Sequence, residues 1–407
     1  MCDVIIIGGG ASGIVSSIFA KKKNNRVVIL ERNDKVLKKL LMTGNGRCNY
    51  MNESYSTNNY HSEDIDIVDK IISSDNIEMM KDFFEELGVV PKIKNGYYYP
   101  YSNQALSIKN ILEEKAISMG VEIRYNSLVT DVCKEKDKFV VLCNDERLTC
   151  DKLVISTGSR AYPKTGSDGS GYKFLSNFNH TIVDVVPSLV QLTSDFKYLK
   201  DWDGVRSDVV LELFEDGNYL AREEGEIQLT DYGISGICTF NLSHYVVRGL
   251  KENKKYTMSI NFVPFIETLI TPWMDNYSKK NINKNIYQLL EGFLNTKLIN
   301  IILKVSNIDG DLYYKDLSND EKLILCKNLR GLKINIIGNK GFDSSQICSG
   351  GVKLSEIDPN TFESKLVDNL YITGELLDMN GNCGGYNLTT CWISGILSGK
   401  SIGEDYD

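Results

Sequence analysis

The fold is decided near the beginning of the chain, by the stretch Val4-Ile5-Ile6-Ile7-Gly8-Gly9-Gly10-Ala11-Ser12-Gly13. Its β-branched run is typical of a strand that is buried on both faces. The glycines follow the G-x-G-x-x-G spacing, which allows a tight turn, a close approach of the backbone to a pyrophosphate, and close packing of helix on strand. We therefore predict a strand, a turn and a helix over residues 14–23, with the N-terminal N–H groups of that helix facing the phosphates of a dinucleotide.

A second apolar run, Arg26–Leu30, predicts the neighbouring strand and ends at Glu31. A carboxylate placed roughly 20 residues after the glycines accepts hydrogen bonds from an adenosine ribose. An acidic residue at this place favours a ribose without a 2′-phosphate, so the pattern indicates FAD or NAD rather than NADP. The turn alone does not choose between those two cofactors.

Composition narrows the class of protein. The net charge of −8 argues against a broad nucleic-acid-binding face. The sequence shows no apolar run of roughly 18 residues and no room for a signal peptide before the first strand, so we expect a cytoplasmic protein without a membrane partner. The ten cysteines form no C-x-x-C pair and there are only three histidines. We therefore expect reduced cysteines and no metal site.

The residue composition and the hydrophobic pattern change twice along the chain. These changes predict an α/β fold with a split nucleotide domain. Residues 1–190 and 340–407 share a glycine-rich, small-residue texture and are assigned to that domain. The alternating pattern of residues 191–265 and 331–339 predicts an inserted antiparallel β-domain, and residues 266–330 predict a helical subdomain.

Two further loops in the first part are candidates for cofactor contacts. Thr43–Asn49 is a second glycine-rich turn, which is either an ordinary loop or a backbone loop lying against a flat or charged group. It follows residues 34–41, for which we expect a short helix. Residues 152–159 predict a buried strand that ends in a Thr-Gly turn passing near the dinucleotide.

The last part of the chain contains a second group of candidate cofactor-binding residues. Leu370–Glu375 predicts a strand that ends in a turn with a carboxylate, and Asp378 offers another carboxylate close by. Gly384 and Gly385 then precede a helix expected from about residue 388 to 399, whose dipole favours an electron-rich group. The N1–C2=O edge of a flavin is such a group, and the carboxylates suit ribityl hydroxyls. This pair of glycine turns therefore favours FAD over NAD.

At this point the sequence clearly resembles the BaiN/YhiN-type family of FAD flavoproteins, also labelled NAD(P)/FAD-dependent or aminoacetone-oxidase-like. The resemblance covers nearly the whole chain. Its markers are Val4–Gly13, Thr43–Asn49, Thr165–Tyr172, Pro187–Leu189, Leu229–Gly236, Gly350–Val352, Glu363–Lys365 and Gly374–Asn387. One departure concerns Asn95-Gly96-Tyr97-Tyr98-Tyr99-Pro100, where the family commonly has an arginine after the Asn-Gly turn.

The resemblance implies a glutathione-reductase-like FAD-binding Rossmann domain, interrupted by an antiparallel β-barrel and a small helical domain. It also implies that the Thr43–Asn49 loop lies near the isoalloxazine. We predict that the following residues bind the cofactor: Gly8, Gly10, Ala11, Ser12, Gly13, Glu31, Arg32, Lys39, Thr43, Gly44, Asn45, Gly46, Arg47, Cys48, Asn49, Val129, Thr157, Gly158, Gly374, Glu375, Asp378, Gly384, Gly385, Tyr386, Asn387 and Leu388.

Three side chains are candidates for the chemistry. Reduction of an activated C=C bond needs a hydride for one carbon and a proton for the other, and the proton donor must lie within hydrogen-bond reach. Cys48 and Tyr386 are candidate proton donors, while Arg47 could hold a substrate carbonyl or the flavin edge. The chain has one dinucleotide fingerprint, so NADH or NADPH, if it is the reductant, would bind transiently over the flavin.

Four functions stay open on the sequence alone. The leading one is an FAD-dependent oxidoreductase that reduces an activated C=C bond of a small molecule, such as a steroid-type enone. The resemblance also implies a ribosomal RNA uridine-to-dihydrouridine reductase, which would make ribosomal RNA the partner. An amine or aminoacetone oxidase is a third reading, and a non-catalytic flavin redox sensor is a fourth.

Overall fold

The chain forms two compact units in the computed structural model, which describes residues 2–266 and 268–406. One unit comprises the residues up to Pro187 together with those from Ser345 onward, and the other comprises Ser188–Ser344. The strands are β1 Cys2–Ile7, β2 Val27–Leu30, β3 Met51–Asn52, β4 Tyr60–His61, β5 Pro91–Lys94, β6 Tyr97–Pro100, β7 Glu122–Arg124, β8 Val129–Glu135, β9 Lys138–Cys143, β10 Glu146–Ile155, β11 Ile182–Ser188, β12 Leu192–Ser194, β13 Arg206–Glu215, β14 Asn218–Thr230, β15 Gly233–Ser235, β16 Tyr256–Asn261, β17 Leu332–Asn339, β18 Ile347–Val352, β19 Leu370–Ile372 and β20 Asn380–Gly381.

Twelve α-helices accompany these strands in the described part of the chain. They are α1 Ala11–Ala20, α2 Ile65–Ile71, α3 Ser74–Glu86, α4 Ala105–Ser118, α5 Ser170–Asn177, α6 Leu199–Trp202, α7 Ile237–Lys251, α8 Ile270–Lys280, α9 Ile286–Leu290, α10 Thr296–Ser306, α11 Asn319–Gly331 and α12 Tyr386–Glu404.

The first unit is built on a seven-stranded sheet. The strand order is β7-β2-β1-β10-β9-β8, and β19 also pairs with β10. The strands β7, β2, β1, β10 and β19 run parallel, whereas β9 and β8 continue from β10 as an antiparallel meander. Strand β10 runs without a break from the meander into the parallel part. It therefore belongs to the antiparallel segment and also contains the strand that we expected beside the dinucleotide.

Helix α12 packs along α1 through a ladder of glycines. A Cβ at Gly395 would lie 2.7 Å from the carbonyl oxygen of Ser12, and one at Gly399 would lie 2.5 Å from that of Ser16. The Ser398 hydroxyl donates to the Ser16 hydroxyl at 3.1 Å. Glycine every fourth residue lets the two backbones approach closely, and the register shows that the helices run parallel.

The second unit contains a closed six-stranded barrel in the order β12-β15-β14-β13-β16-β17. Neighbouring strands are antiparallel, and β12 closes the barrel by pairing with both β15 and β17. Inward-facing aliphatic residues of the strands form one core with α7 and with the helices that follow β16. The observed architecture confirms the predicted fold class, a Rossmann-type sheet with an antiparallel barrel.

The short helix expected over residues 34–41 is absent. The chain there makes bends, and a 3₁₀ segment follows at Leu40–Gly46. Leu37 has a φ of 59°, in the left-handed region, and its N–H donates to the carbonyl of Gly9 at 2.8 Å. This tertiary bond to the first glycine turn holds the segment out of a helix.

Candidate functional site

The first glycine turn lies between β1 and α1. Gly8 has a φ of 101°, and a Cβ at Gly13 would lie 2.1 Å from the carbonyl oxygen of Gly8, so both positions require glycine. Gly10 differs, because the closest atom that a Cβ there would meet is a carbonyl oxygen 3.9 Å away. Gly10 also caps α1 without any side chain accepting from the first N–H groups. The turn thus offers open space in front of a helix N-terminus, which is what a pyrophosphate needs.

Glu31 stands beside this turn at the end of β2. Its side chain is nearly buried, at 7% exposure, and one carboxylate oxygen accepts from the Gly9 N–H at 2.8 Å. The other oxygen accepts from the backbone and side-chain N–H groups of Asn33. These three bonds fix the carboxylate in place beside the first glycine turn.

Arg32 turns away from Glu31 to a neighbouring loop. Its guanidinium forms an ion pair with Asp168 at 2.5 Å and donates to the carbonyl of Gly166 at 3.3 Å. The Asp168 pKa is lowered: burial raises it, but the hydrogen bonds from Arg32 and Ser170 outweigh burial. Arg32 therefore fixes the Thr165–Tyr172 loop beside the end of β2.

The turn at Gly374 and Glu375, which follows β19, lies directly against the first glycine turn. Gly374 has a φ of 70°, and a Cβ there would lie 2.5 Å from the hydroxyl oxygen of Ser12. The Thr373 hydroxyl donates to that of Ser12 at 3.1 Å. The next residue, Glu375, accepts from Lys39 at 2.5 Å and from the Ser159 hydroxyl at 3.0 Å. The structure thus brings four predicted site residues from distant parts of the chain together.

The two helix N-termini are offset along one direction. Ser12 lies level with Gly395 and Ser16 with Gly399, so α12 begins about eight residues, roughly 12 Å, before α1 does along the shared direction. One helix N-terminus is therefore placed for a pyrophosphate, and the other for a group about 12 Å further along. This offset suits a long cofactor that is held at two points.

The N-terminus of α12 is formed by the C-terminal glycine turn. Gly385 caps the helix in the left-handed conformation, without a side chain accepting from the first turn. A Cβ at Gly385 would lie 2.7 Å from the backbone of Met51, and the Gly384 carbonyl accepts from the Asn52 amide at 2.8 Å. The side chain of Asn387 holds the preceding loop, because it accepts from the Gly381 N–H and donates to the Gly381 carbonyl.

The Thr43–Asn49 loop is strongly constrained. Gly44, Asn45 and Gly46 all have positive φ, and the Cys48 N–H donates to the Thr43 carbonyl at 3.1 Å. Arg47 is exposed, and its Nε donates to the Gly44 carbonyl at 3.0 Å. This loop is an ordered turn that presents a guanidinium at the surface.

The two candidate proton donors occupy different environments. Cys48 is fully buried, and burial raises the pKa of its thiol to about 12. Burial also raises the Tyr386 pKa to about 12, but that ring is 7% exposed and its hydroxyl makes no hydrogen bond within the described residues. The ring packs edge-on against Tyr55 and Tyr60. Geometry thus favours Tyr386 over Cys48 as an acid, and Cys48 has the position of a packing residue.

The remaining predicted residues are spread around these turns. Asp378 is 2% exposed and accepts from the Glu63 N–H at 2.9 Å, which gives it a partner away from Glu375. Thr157 has a buried hydroxyl without a partner in the described chain, and such an orphaned group beside the first turn suits a cofactor. Other predicted contacts are Val129, buried in β8, Gly158, at a φ of 76°, and the half-buried Asn49 and Leu388.

Several positioning features were missed by the sequence reasoning. Ser159 orients Glu375, Asn52 holds the Gly384 carbonyl, and the glycine ladder of α12 sets the offset of the two helices. The spacing of Gly395, Gly399 and Gly403 by four residues was a readable signal for that ladder. The contacts of Ser159 and Asn52 leave no local signal.

Together the sheet, the two uncapped helix N-termini and the carboxylates define an FAD-binding flavoprotein of the oxidoreductase class. Among the described residues, no helix has both the length and the apolar character needed to cross a membrane. No group of three or more histidine, cysteine, aspartate or glutamate side chains in that part of the chain is arranged to hold a metal ion.

Comparison with known proteins gives the family. The model described as the HI0933-like protein Rossmann domain matches residues 2–401. The chain is 36% identical over 377 residues to the 3-dehydro-bile acid delta(4,6)-reductase of Clostridium scindens, with 92% of each chain covered. It is 26% identical over 392 residues to the ribosomal RNA dihydrouridine synthase of Escherichia coli, with 96% of each covered. The chain therefore belongs to the HI0933-like family, which confirms the resemblance found in the sequence.

Solved structures include one that aligns with nearly the whole chain. The 3-ketosteroid-delta4-(5alpha)-dehydrogenase of Rhodococcus jostii, in complex with 4-androstene-3,17-dione, aligns with 99% of this chain and 96% of its own. The identity is 13% and the TM-score is 0.49.

Proposed function

We propose that this protein uses FAD to reduce an activated C=C bond conjugated to a carbonyl, in a small molecule of the steroid-enone type, with NADH or NADPH as the reductant. The observation that carries the proposal is the pair of uncapped helix N-termini on parallel helices, offset by about 12 Å along their shared direction. The substrate class rests on the 36% identity to a bile acid reductase over 92% of both chains.

The residues suit FAD bound at full length. The open space at Gly10 and the first N–H groups of α1 would hold the pyrophosphate. Glu31 would accept from the adenosine ribose, and Glu375, already oriented by Lys39 and Ser159, would accept from the ribityl hydroxyls. The N–H groups at the start of α12 would face the pyrimidine edge of the flavin ring. Asp378 would be a second ribityl candidate, with its carboxylate held by the Glu63 N–H.

The chemistry that FAD would supply when bound, once the proposed NADH or NADPH has reduced it, is a hydride for the β-carbon of the enone. The chain supplies the proton for the α-carbon, and we assign that donation to the Tyr386 hydroxyl. Three observations support the assignment: the hydroxyl has no acceptor within the described residues, its pKa of about 12 keeps it protonated at neutral pH, and it belongs to the first residue of α12. A donor next to the flavin edge lies where the reduced carbon must pick up its proton.

Arg47 would hold the substrate carbonyl. Its Nε is used by the Gly44 carbonyl, and this bond leaves the two terminal nitrogens of the exposed guanidinium as donors. A hydrogen bond from an arginine to the enone oxygen stabilises the negative charge that develops there when hydride reaches the β-carbon. The bond from Nε to the Gly44 carbonyl and the Tyr99 ring, whose centre lies 5.3 Å from the guanidinium carbon, hold the guanidinium in place.

A ribosomal RNA uridine is the second candidate substrate. Uracil also contains a C=C bond conjugated to a carbonyl, and the Escherichia coli relative named for this reaction is 26% identical over nearly the full chain. The net charge of −8 and the lower identity both favour a small molecule over RNA.

Anaerobic kinetics of the purified holoenzyme test the proposal. We expect NADH or NADPH to bleach the flavin, and a Δ4-3-keto steroid to restore its absorption in an amount equal to the enone consumed. Reoxidation by oxygen alone, with no enone consumed, would favour an oxidase. Absence of bleaching by either nucleotide would contradict the assigned reductant. Reoxidation by a uridine-containing ribosomal RNA fragment, but by no steroid, would move the proposal to the second candidate.

A further inference from the structure

The β-hairpin formed by β5 and β6 carries lysines and tyrosines on one face. In the antiparallel register Lys92 lies opposite Tyr99, and Lys94 lies opposite Tyr97. Directly paired residues share a face of the sheet, and so do residues two apart along one strand. These four side chains, which we call the Lys-Tyr face, therefore lie together, and both lysines are exposed.

The Lys-Tyr face touches both glycine-rich turns that are predicted to flank the flavin ring. At one end the Tyr99 ring lies 3.5 Å from the position of a Cβ on Gly44, and the Arg47 guanidinium carbon sits 5.3 Å from the centre of that ring. At the other end the Tyr97 ring lies 3.0 Å from the position of a Cβ on Gly384. The hairpin thus bridges the Thr43–Asn49 loop and the turn that begins α12.

The cations at this face are not neutralised by the protein. Within the described residues, neither lysine forms an ion pair, and Arg47 forms none either. One acidic group, Glu53, lies at the hairpin tip, with its carboxylate 3.9 Å from the position of a Cβ on Gly96. These three cations, which have no ion-pair partner among the described residues, surround two aromatic rings. They form a locally positive site in a chain whose net charge is −8.

We propose that the Lys-Tyr face binds the carboxylate of an anionic, ring-shaped substrate, with Lys92 and Lys94 pairing with the carboxylate and the rings of Tyr97 and Tyr99 packing against its apolar rings. This inference rests on the proposed function and names the substrate class more narrowly, as an enone that also carries a carboxylate. The backbone positions of the two lysines lie about 7 Å apart along β5. At this spacing both ammonium groups can pair with one carboxylate. Tyr97 and Tyr99 carry no charge at neutral pH, so the positive charge of the Lys-Tyr face comes from β5.

Binding to the oxidised holoenzyme tests this proposal without turnover. The probes are 3-oxochol-4-en-24-oic acid and its methyl ester, and the readout is the dissociation constant from the shift of the flavin absorption band. The test variant is Lys92→Gln with Lys94→Gln. The control variant, Lys23→Gln with Lys136→Gln, removes the same charge from two exposed lysines elsewhere in the same unit.

We expect the test variant to bind the acid about fivefold to 25-fold more weakly, since an exposed charge pair contributes up to about 1 kcal/mol. The ester should change by less than about twofold in both variants, and the control should bind the acid as the wild type does. Raising the salt concentration should weaken the acid but not the ester.

Three results would overturn the proposal: equal weakening of acid and ester, no change for either, or no binding of the acid by the wild type. If the test variant bound only NADPH more weakly, the proposal would be overturned and the lysines would be assigned to the phosphate of the reductant. If it bound only a uridine-containing RNA oligonucleotide more weakly, the lysines would be assigned to RNA. Lysine-dependent binding of the acid without its reduction by the reduced enzyme would contradict the proposed function alone.

Discussion

The two glycine turns differ in how they are held. The first turn follows a strand and carries a complete fingerprint within six residues, and bonds to Glu31, Leu37 and Ser156 add to what its own glycines specify. The second turn, at Gly384 and Gly385, has no fingerprint of its own and is shaped by Met51 and Asn52 from a distant part of the chain. A local motif can therefore locate a pyrophosphate site, whereas the place of the flavin ring depends on tertiary contacts.

Gly10→Val separates binding from folding at the first turn and should have the largest effect. Gly10 has a φ of −76° and open space at its Cβ position, so valine fits the apoprotein but fills the space assigned to the pyrophosphate. We expect a folded protein that purifies without FAD, measured by the ratio of flavin absorbance to protein. Val36→Ala on the other side of the turn is the control that should keep FAD. A flavin content equal to that of the wild type would contradict the assignment of Gly10.

Tyr386→Phe tests the chemistry assigned to the second turn. Removal of the proton donor should slow reoxidation by the enone by about 10²–10⁴-fold, while bleaching by the reductant stays unchanged. With a Tyr386 pKa of about 12, the wild-type reoxidation rate should not change with pH between 6 and 9. Rapid-mixing absorbance measures both half-reactions.

The matched control for this variant is Tyr55→Phe, because Tyr55 packs against the same ring but its hydroxyl is already bound by the Asn52 N–H. Equal slowing of both half-reactions in Tyr386→Phe would show a structural role for the ring instead. Equal slowing in both variants would show the same.

Gly399→Ala tests the ladder that sets the offset between the two turns. Alanine normally stabilises an exposed helix by about 1 kcal/mol relative to glycine. Here its methyl group would lie 2.5 Å from the Ser16 carbonyl oxygen, so we expect the free energy of unfolding to fall by about 1–3 kcal/mol. Denaturant unfolding of the holoenzyme measures the change. Increased stability of Gly399→Ala would contradict the close approach of α1 and α12.

The smallest expected effect concerns acid sensitivity at the second turn. His61 lies beside that turn, with its Nε2 3.2 Å from the side-chain oxygen of Asn382, and burial lowers the His61 pKa although the Asn382 bond raises it. A lowered pKa in the folded state means that stability is complete above the unfolded value, about 6.5, and is lost as the pH falls below it.

We therefore expect the thermal midpoint to fall as the pH is lowered from 7.5 to 5, because His61 takes up a proton more readily in the unfolded state. The difference in bound protons at this group is less than about one, and the fall should be smaller in His61→Gln. His180, whose pKa burial also lowers, contributes in the same direction, and its bond to Glu356 opposes that shift. An unchanged slope in His61→Gln would assign the acid sensitivity to His180.

The parts of the fold that depend on local pattern were predictable from the sequence. The strands β1 and β2 follow from β-branched runs, and the first turn follows from its glycine spacing, so the Rossmann sheet and the fingerprint could be predicted. The helix expected over residues 34–41 was wrong because a single tertiary bond, from Leu37 to Gly9, overrides the local preference.

The residues assigned to the site stay a prediction, and their geometry could not be derived from the sequence. Lys39, Glu375 and the first glycine turn were assigned to one cofactor, but the Ser159 contact that orients Glu375 comes from the loop after β10 and leaves no trace in composition.

A crystal structure of the holoenzyme tests the central claim most directly. The claim is that one FAD spans the two helix N-termini, and the measurement is the distance of each cofactor end from the first N–H groups of α1 and α12. We predict that the pyrophosphate oxygens accept from the turn at Gly10, and that the flavin C2 carbonyl oxygen lies within hydrogen-bond distance of the N–H groups at the start of α12. A flavin ring bound away from Gly385, with the pyrophosphate still at Gly10, would contradict the account.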